Sequence, residues 1–135
     1  MSFSSVKGVT IRSITGDDGR LPIDASRNTA GVSVLALLAH LENLDRASFS
    51  EIGISIDLTK GLPIGSGLGS SSASTVASLV AANELLGAPL SRRELLPFAM
   101  EGERVACGAP HADNVAPCLL GGFVLIRSYS PLDII

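Results

Sequence analysis

The chain has 135 residues, the length of one domain, with 46% apolar residues, no Trp and a formal net charge of −3. That balance excludes a disordered chain and calls for a core of Leu, Ile, Val and Ala. It also argues against nucleic acid, since the ten Lys and Arg residues form no stripe, and against a membrane span, since no uncharged apolar run reaches about 18 residues.

Val6 to Ile14 alternates apolar and polar residues and reads as a half-buried strand. Gly16 to Gly19 is a turn and Leu21 to Arg27 a loop. Asn28 or Thr29 can cap a helix that continues to about Leu44. Ile52, Ile54, Ile56 and Leu58 mark a second strand, and Lys60 to Gly69 is rich in glycine. Ser70 to Leu86 has the composition of a good helix, closed by Gly87 and Pro89. Ser91 and Glu94 form a capping box that opens a further helix, with Pro97 near its start, reaching about Cys107. Gly108 to Pro117 is a polar loop, and Gly122 to Ser128 is the last strand. Three strands interleaved with helices predict an α+β fold, with helices packed on a small sheet. So small a sheet leaves exposed edges, and the expectation is that further protein covers them.

The most informative stretch is Gly61 to Ala73, GLPIGSGLGSSSA. It joins an apolar strand to a helix start. Such a start carries unpaired N–H groups and the positive end of the helix dipole. Glycines let the backbone wrap an anion, and serines offer hydroxyls to phosphate or metal. Together they form an anion site with no basic side chain. The alternative is a flexible Gly/Ser connector, which would not sit between a regular strand and helix. A Walker loop is excluded, because no Lys follows Gly69, and the dinucleotide fingerprint has a different glycine spacing.

Pro-x-x-x-Gly-Leu-Gly-Ser-Ser, from Pro63 to Ser71, resembles the second signature of the GHMP kinases, with Ser72 where that pattern usually carries Ala. Downstream, His111-Ala112-Asp113-Asn114 with Ala116-Pro117 and Gly121-Gly122-Phe123 is similar to the homoserine-kinase branch of the superfamily. The resemblance implies the N-terminal domain of such a kinase, a ribosomal-protein-like βαβ layer with helices on one face of a small mixed sheet. It implies ATP on Pro63, Ile64, Gly65, Ser66, Gly67, Leu68, Gly69, Ser70, Ser71, Ser72 and Ala73, with Asn28 toward the adenine or serving only as a helix cap. It implies Mg²⁺ on Ser71 and Glu103, and L-homoserine held by its amino and carboxyl ends on His111, Asp113 and Asn114. Ser71, Glu103 and Asn114 then carry the catalytic work, with Leu62 and Leu68 excluding water.

The residues alone leave alternatives. Asp113 or Asn114 could be a plain helix cap. Glu103 lies on a helical stripe with Leu96, Met100 and Cys107, and could be a surface-edge acid paired with Arg. Cys107 and Cys118 match no zinc spacing and are expected as reduced core residues in a cytoplasmic protein, or a plastid one if the source is a plant. The first GHMP signature and the third, a Gly-x-Gly-Pro loop, do not occur in the chain. The expectation is therefore a partial N-terminal domain at 1–135 without the C-terminal domain, weak or inactive alone, from a protein that in full-length form is a homodimer. A mevalonate- or phosphomevalonate-type kinase and a non-catalytic nucleotide-binding module are the competing readings.

Overall fold

Strand β3 (Gly53–Thr59) organises the chain, and a computed structural model describes all residues, 1–135. Ile54, Ile56 and Leu58 alternate along it and are all buried. Strand β1 (Ser2–Ser4) pairs antiparallel with it on one side, and β2 (Gly8–Thr15) pairs parallel on the other. The sheet is therefore mixed, with order β1-β3-β2. Val9 faces Ile54 and Ile11 faces Ile56 across the parallel pair. Arg12 is the extra residue where the register shifts, and its guanidinium bonds Asp57 at the exposed surface.

Parallel strands need a long crossover. Helix α1 (Thr29–Leu44) provides it, followed by the short α2 (Arg46–Phe49). The predicted Asn28 cap is present, with its Oδ1 accepting from the N–H of Ala30 at 3.1 Å. Helix α1 packs on β2, on α3 (Ser70–Leu85) and on α4 (Arg92–Cys107), and α5 (Val115–Leu120) packs on α3 and α4. Leu37, Leu41, Ile54, Leu79, Leu95, Leu96 and Leu119 form the aliphatic core between these elements. The capping box of α4 is formed: the N–H of Glu94 donates to Ser91 Oγ, and Glu94 Oε2 accepts from Ser91 N–H at 2.8 Å. No helix is long and apolar enough to cross a membrane.

Several expectations change. There are five strands in two sheets rather than three in one, because β4 (Ile126–Tyr129) pairs with β5 (Leu132–Ile134) as a separate hairpin. The last predicted strand starts later than Gly122: Gly121 and Gly122 have φ of +80° and +68°, and Phe123 beyond them is fully exposed. The first predicted strand starts at Gly8 rather than Val6, because the chain bends at Ser5–Lys7. The loop before α1 ends in a 3-10 turn, Ala25–Arg27, capped by Asp24. Helix α5 begins at Val115, inside the segment expected to be loop. Both cysteines are free, as expected, yet exposed rather than in the core.

Candidate functional site

The glycine loop lies between β3 and α3. Gly65, Gly67 and Gly69 have φ of +73°, +76° and +71°, the left-handed region that other residues rarely adopt. The Cβ each glycine lacks would point into open space, so their role is conformational rather than steric. Each left-handed step turns the backbone, and no amide N–H from Ile64 to Ser72 finds an acceptor in the chain. Backbone N–H groups gathered in this way form an anion-binding concavity. Side chains fix its shape. Ser66 Oγ donates to Pro63 O at 2.9 Å, and Ser70 Oγ donates to Leu62 O at 3.0 Å.

Lys60 corrects the expectation of a site without a basic side chain. Its ammonium donates to Ser70 O at 2.6 Å and to Ser74 Oγ at 2.5 Å, beside the first turn of α3. Burial pushes its pKa down, while the charge of Asp17 opposes that shift. A lysine does serve this loop, but from its upstream end, where neither nucleotide motif places one.

The next three serines differ. Ser71 Oγ is buried and has no hydrogen-bond partner. Ser72 Oγ donates to Glu103 Oε1 at 2.9 Å, with both residues buried. Ser74 Oγ donates back to Ser70 O at 3.1 Å. Glu103 is 2% exposed, which removes the surface-edge reading. The acid that pairs with an arginine is Glu101, which bonds Arg104. No Lys, Arg or His forms an ion pair with Glu103. Its second oxygen has only the thiol of Cys107, at 3.8 Å. Burial, and then the charge of Glu103, push that thiol's pKa up.

A cavity of about 510 Å³ gathers these groups. Ile64, Gly65, Ser66, Gly67, Gly69, Ser70, Ser71 and Ser72 line it, with Lys60, Glu103, Cys107, Asn28 and Asn114. A neighbouring cavity of about 420 Å³ is lined by Leu62, Leu68, Ala73 and Cys118, and shares Gly67, Gly69, Ser72 and Asn114 with the first. Pro63, His111 and Asp113 line neither. Leu62 and Leu68 are exposed and do not close their cavity against water. Asn28 uses its amide as a cap on Ala30 and as a donor to Pro22 O at 2.8 Å. Asn114 stands at the start of α5, but its side chain makes no capping bond, so the plain-cap reading fails for it.

A divalent cation can be tested against these groups. The chain has no cluster of three or more His, Cys, Asp or Glu residues that could hold a metal. Mg²⁺ does not require one, because it binds through one or two protein oxygens, waters and phosphates. A buried carboxylate without a cation and a buried hydroxyl without a partner, both lining one cavity, fit that sparse site.

Residues 31–122 match the family described as GHMP kinases N terminal domain. A homoserine kinase of Chlorobium phaeovibrioides is 56% identical over 127 residues, which is 94% of this chain and 39% of that protein. One of Methanococcus maripaludis is 44% identical over 129 residues, covering 95% of this chain and 40% of the relative. The crystal structure of homoserine kinase from Cytophaga hutchinsonii superposes with a TM-score of 0.89 at 60% identity, over 98% of this chain and 40% of that one. The chain thus spans about two-fifths of the length of the relatives it matches.

Proposed function

The chain belongs to the GHMP kinase family, and from that premise we propose that it is the nucleotide-binding part of a homoserine kinase, which moves the γ-phosphoryl group of ATP to the side-chain hydroxyl of L-homoserine. The observation that carries this is the run of uncommitted amides from Gly65 to Ser71, opening on a helix start beside Lys60. The naming of the relatives supports homoserine as acceptor over a mevalonate-type substrate.

In this reading the protein does little covalent chemistry, and positioning and charge neutralisation lower the barrier. The loop amides and the α3 dipole take the phosphate oxygens, and Lys60 adds a full positive charge at that end. Ser71 and Glu103 hold Mg²⁺, which when bound neutralises charge on the phosphates. Asn28 keeps one N–H and one lone pair for the adenine, beyond the two bonds it already makes. Asn114, which lines both cavities, is assigned to the junction of phosphate and acceptor. His111 and Asp113 are assigned to the amino and carboxyl ends of homoserine. Their exposure is accounted for if the acceptor side is completed by sequence that the relatives carry beyond the matched stretch.

Titration calorimetry tests the reading on this chain. ATP with Mg²⁺ should bind, Glu103→Ala should weaken that binding, and phosphorylation of homoserine should be weak or absent. No heat with Mg²⁺ and ATP would overturn the reading. A second reading, a nucleotide-binding module without chemistry, draws on His111 and Asp113 lying outside both cavity linings. It requires that a version extended to the relatives' length bind ATP yet leave homoserine unphosphorylated.

A further inference from the structure

Glu103 is a long, flexible side chain, buried at 2% exposure, with no cation beside it. A buried carboxylate in that condition is costly unless it is hydrogen-bonded. Its one strong bond comes from a different helix: Ser72 Oγ, 31 residues upstream on α3, donates to Oε1 at 2.9 Å. The contact of Cys107 with Oε2 is longer, at 3.8 Å, and thiols are weak donors. Ser72 is itself 3% exposed, and this is its only side-chain bond. The two helices come close because residue 102 is glycine: a Cβ there would lie 2.6 Å from Thr75 Cγ2 and 3.0 Å from Thr29 O. The hydroxyl therefore takes one lone pair of Oε1 and restrains the carboxylate, and Glu103 lines the same cavity as Ser71.

We propose that Ser72 is a positioning residue that orients the Glu103 carboxylate toward a divalent cation, by a hydroxyl standing where the GHMP pattern usually has Ala. The proposal rests on the reading of the cavity as a Mg²⁺-nucleotide site, and it gives Ser72 a task separate from holding phosphate. A hydrogen bond to a metal-ligating carboxylate sets its direction and basicity, and losing such a partner typically weakens metal affinity about 10- to 100-fold. Ser72→Ala removes the hydroxyl but keeps the backbone amide, and Ala fits the space.

Calorimetry with ATP in chelator and ATP with Mg²⁺ separates the possibilities on the 135-residue chain. The quantity read is the gain in ATP affinity that Mg²⁺ confers. Ser72→Ala should cut that gain about 10-fold more than it changes affinity in chelator, and should also lower the melting temperature, because the buried Glu103 carboxylate loses its one strong donor. Ser72→Thr, which returns a hydroxyl, should recover part of it, and if that variant does not fold, Ser72→Ala decides alone. An undiminished gain in Ser72→Ala would overturn the proposal and leave the nucleotide reading standing. An equal loss with and without Mg²⁺ would also overturn it, because the hydroxyl would then be touching nucleotide. A wild-type chain that binds ATP under neither condition would sink the nucleotide reading first, and this proposal with it.

Discussion

The two sides of the candidate site are built differently. On the loop side, Ser66, Ser70, Ser72, Ser74 and Lys60 each make a defined hydrogen bond, and most of them are buried or half-buried against α3 and α4. On the other side, His111, Asp113 and Asn114 are exposed, and none of their side chains bonds to anything in the chain. The backbone there is anchored, with the N–H of Ala112 donating to Tyr129 Oη at 3.2 Å, but the side chains are not. The difference teaches that an anion site made of main chain and short hydroxyls can be finished by one domain. A site made of longer polar side chains waits for a ligand, or for more protein, to fix their rotamers.

Four substitutions break or sharpen that contrast. The largest effect is expected from Gly102→Ala, which drives a methyl into Thr75 and the backbone of Thr29 and parts α4 from α3. It should cost about 1–3 kcal/mol by urea denaturation, as overpacking does. It should also weaken Mg²⁺-dependent ATP binding, making the built side as loose as the open one. Ser91→Ala comes next, at about 1 kcal/mol for a lost N-cap on the helix that carries Glu103. It has a pH signature as well. The Ser91 hydroxyl and N–H hold the Glu94 pKa below its ordinary value. That contribution is present above the unfolded pKa of about 4.3 and is lost as pH falls through the lower folded value. Melting curves from pH 6 down to pH 3 should therefore fall less steeply in the variant. The smallest effect is expected from His111→Ala and Asp113→Ala, each within about 0.5 kcal/mol of wild-type stability and with ATP affinity unchanged. A clear loss of ATP binding in either would show that the two sides are not separate.

The built side was also the more legible one in the sequence. Glycine punctuation, a capping box and the alternation of Ile54, Ile56 and Leu58 give β3, α3 and α4 nearly to the residue. Each of those signals is local chemistry that the fold does not override. The stripe of Leu96, Met100, Glu103 and Cys107 puts the acid on an apolar face but leaves a surface-edge acid open, and period alone does not separate buried Glu103 from exposed Cys107. What was missed depends on contacts distant in sequence. Three-residue strands such as β1 and β5 are too short to show a period, and exist because a partner strand passes by. Lys60 escapes the nucleotide-loop pattern, which places its lysine after the glycines. Its position one residue before Gly61 was the available signal. The bond between Ser72 and Glu103 joins two helices and leaves no trace in either one's periodicity.

The strand order β1-β3-β2 bears on how the chain emerges from a ribosome. Strands β1 and β2 each bond to β3 and not to one another, so neither has that neighbour until residue 59 has cleared the exit tunnel. Until then α1 has no β2–β3 pair to settle on. The parallel pairing that follows must close a long loop in one step, which slows folding relative to a hairpin. During synthesis, the vulnerable interval is set by when the middle strand arrives.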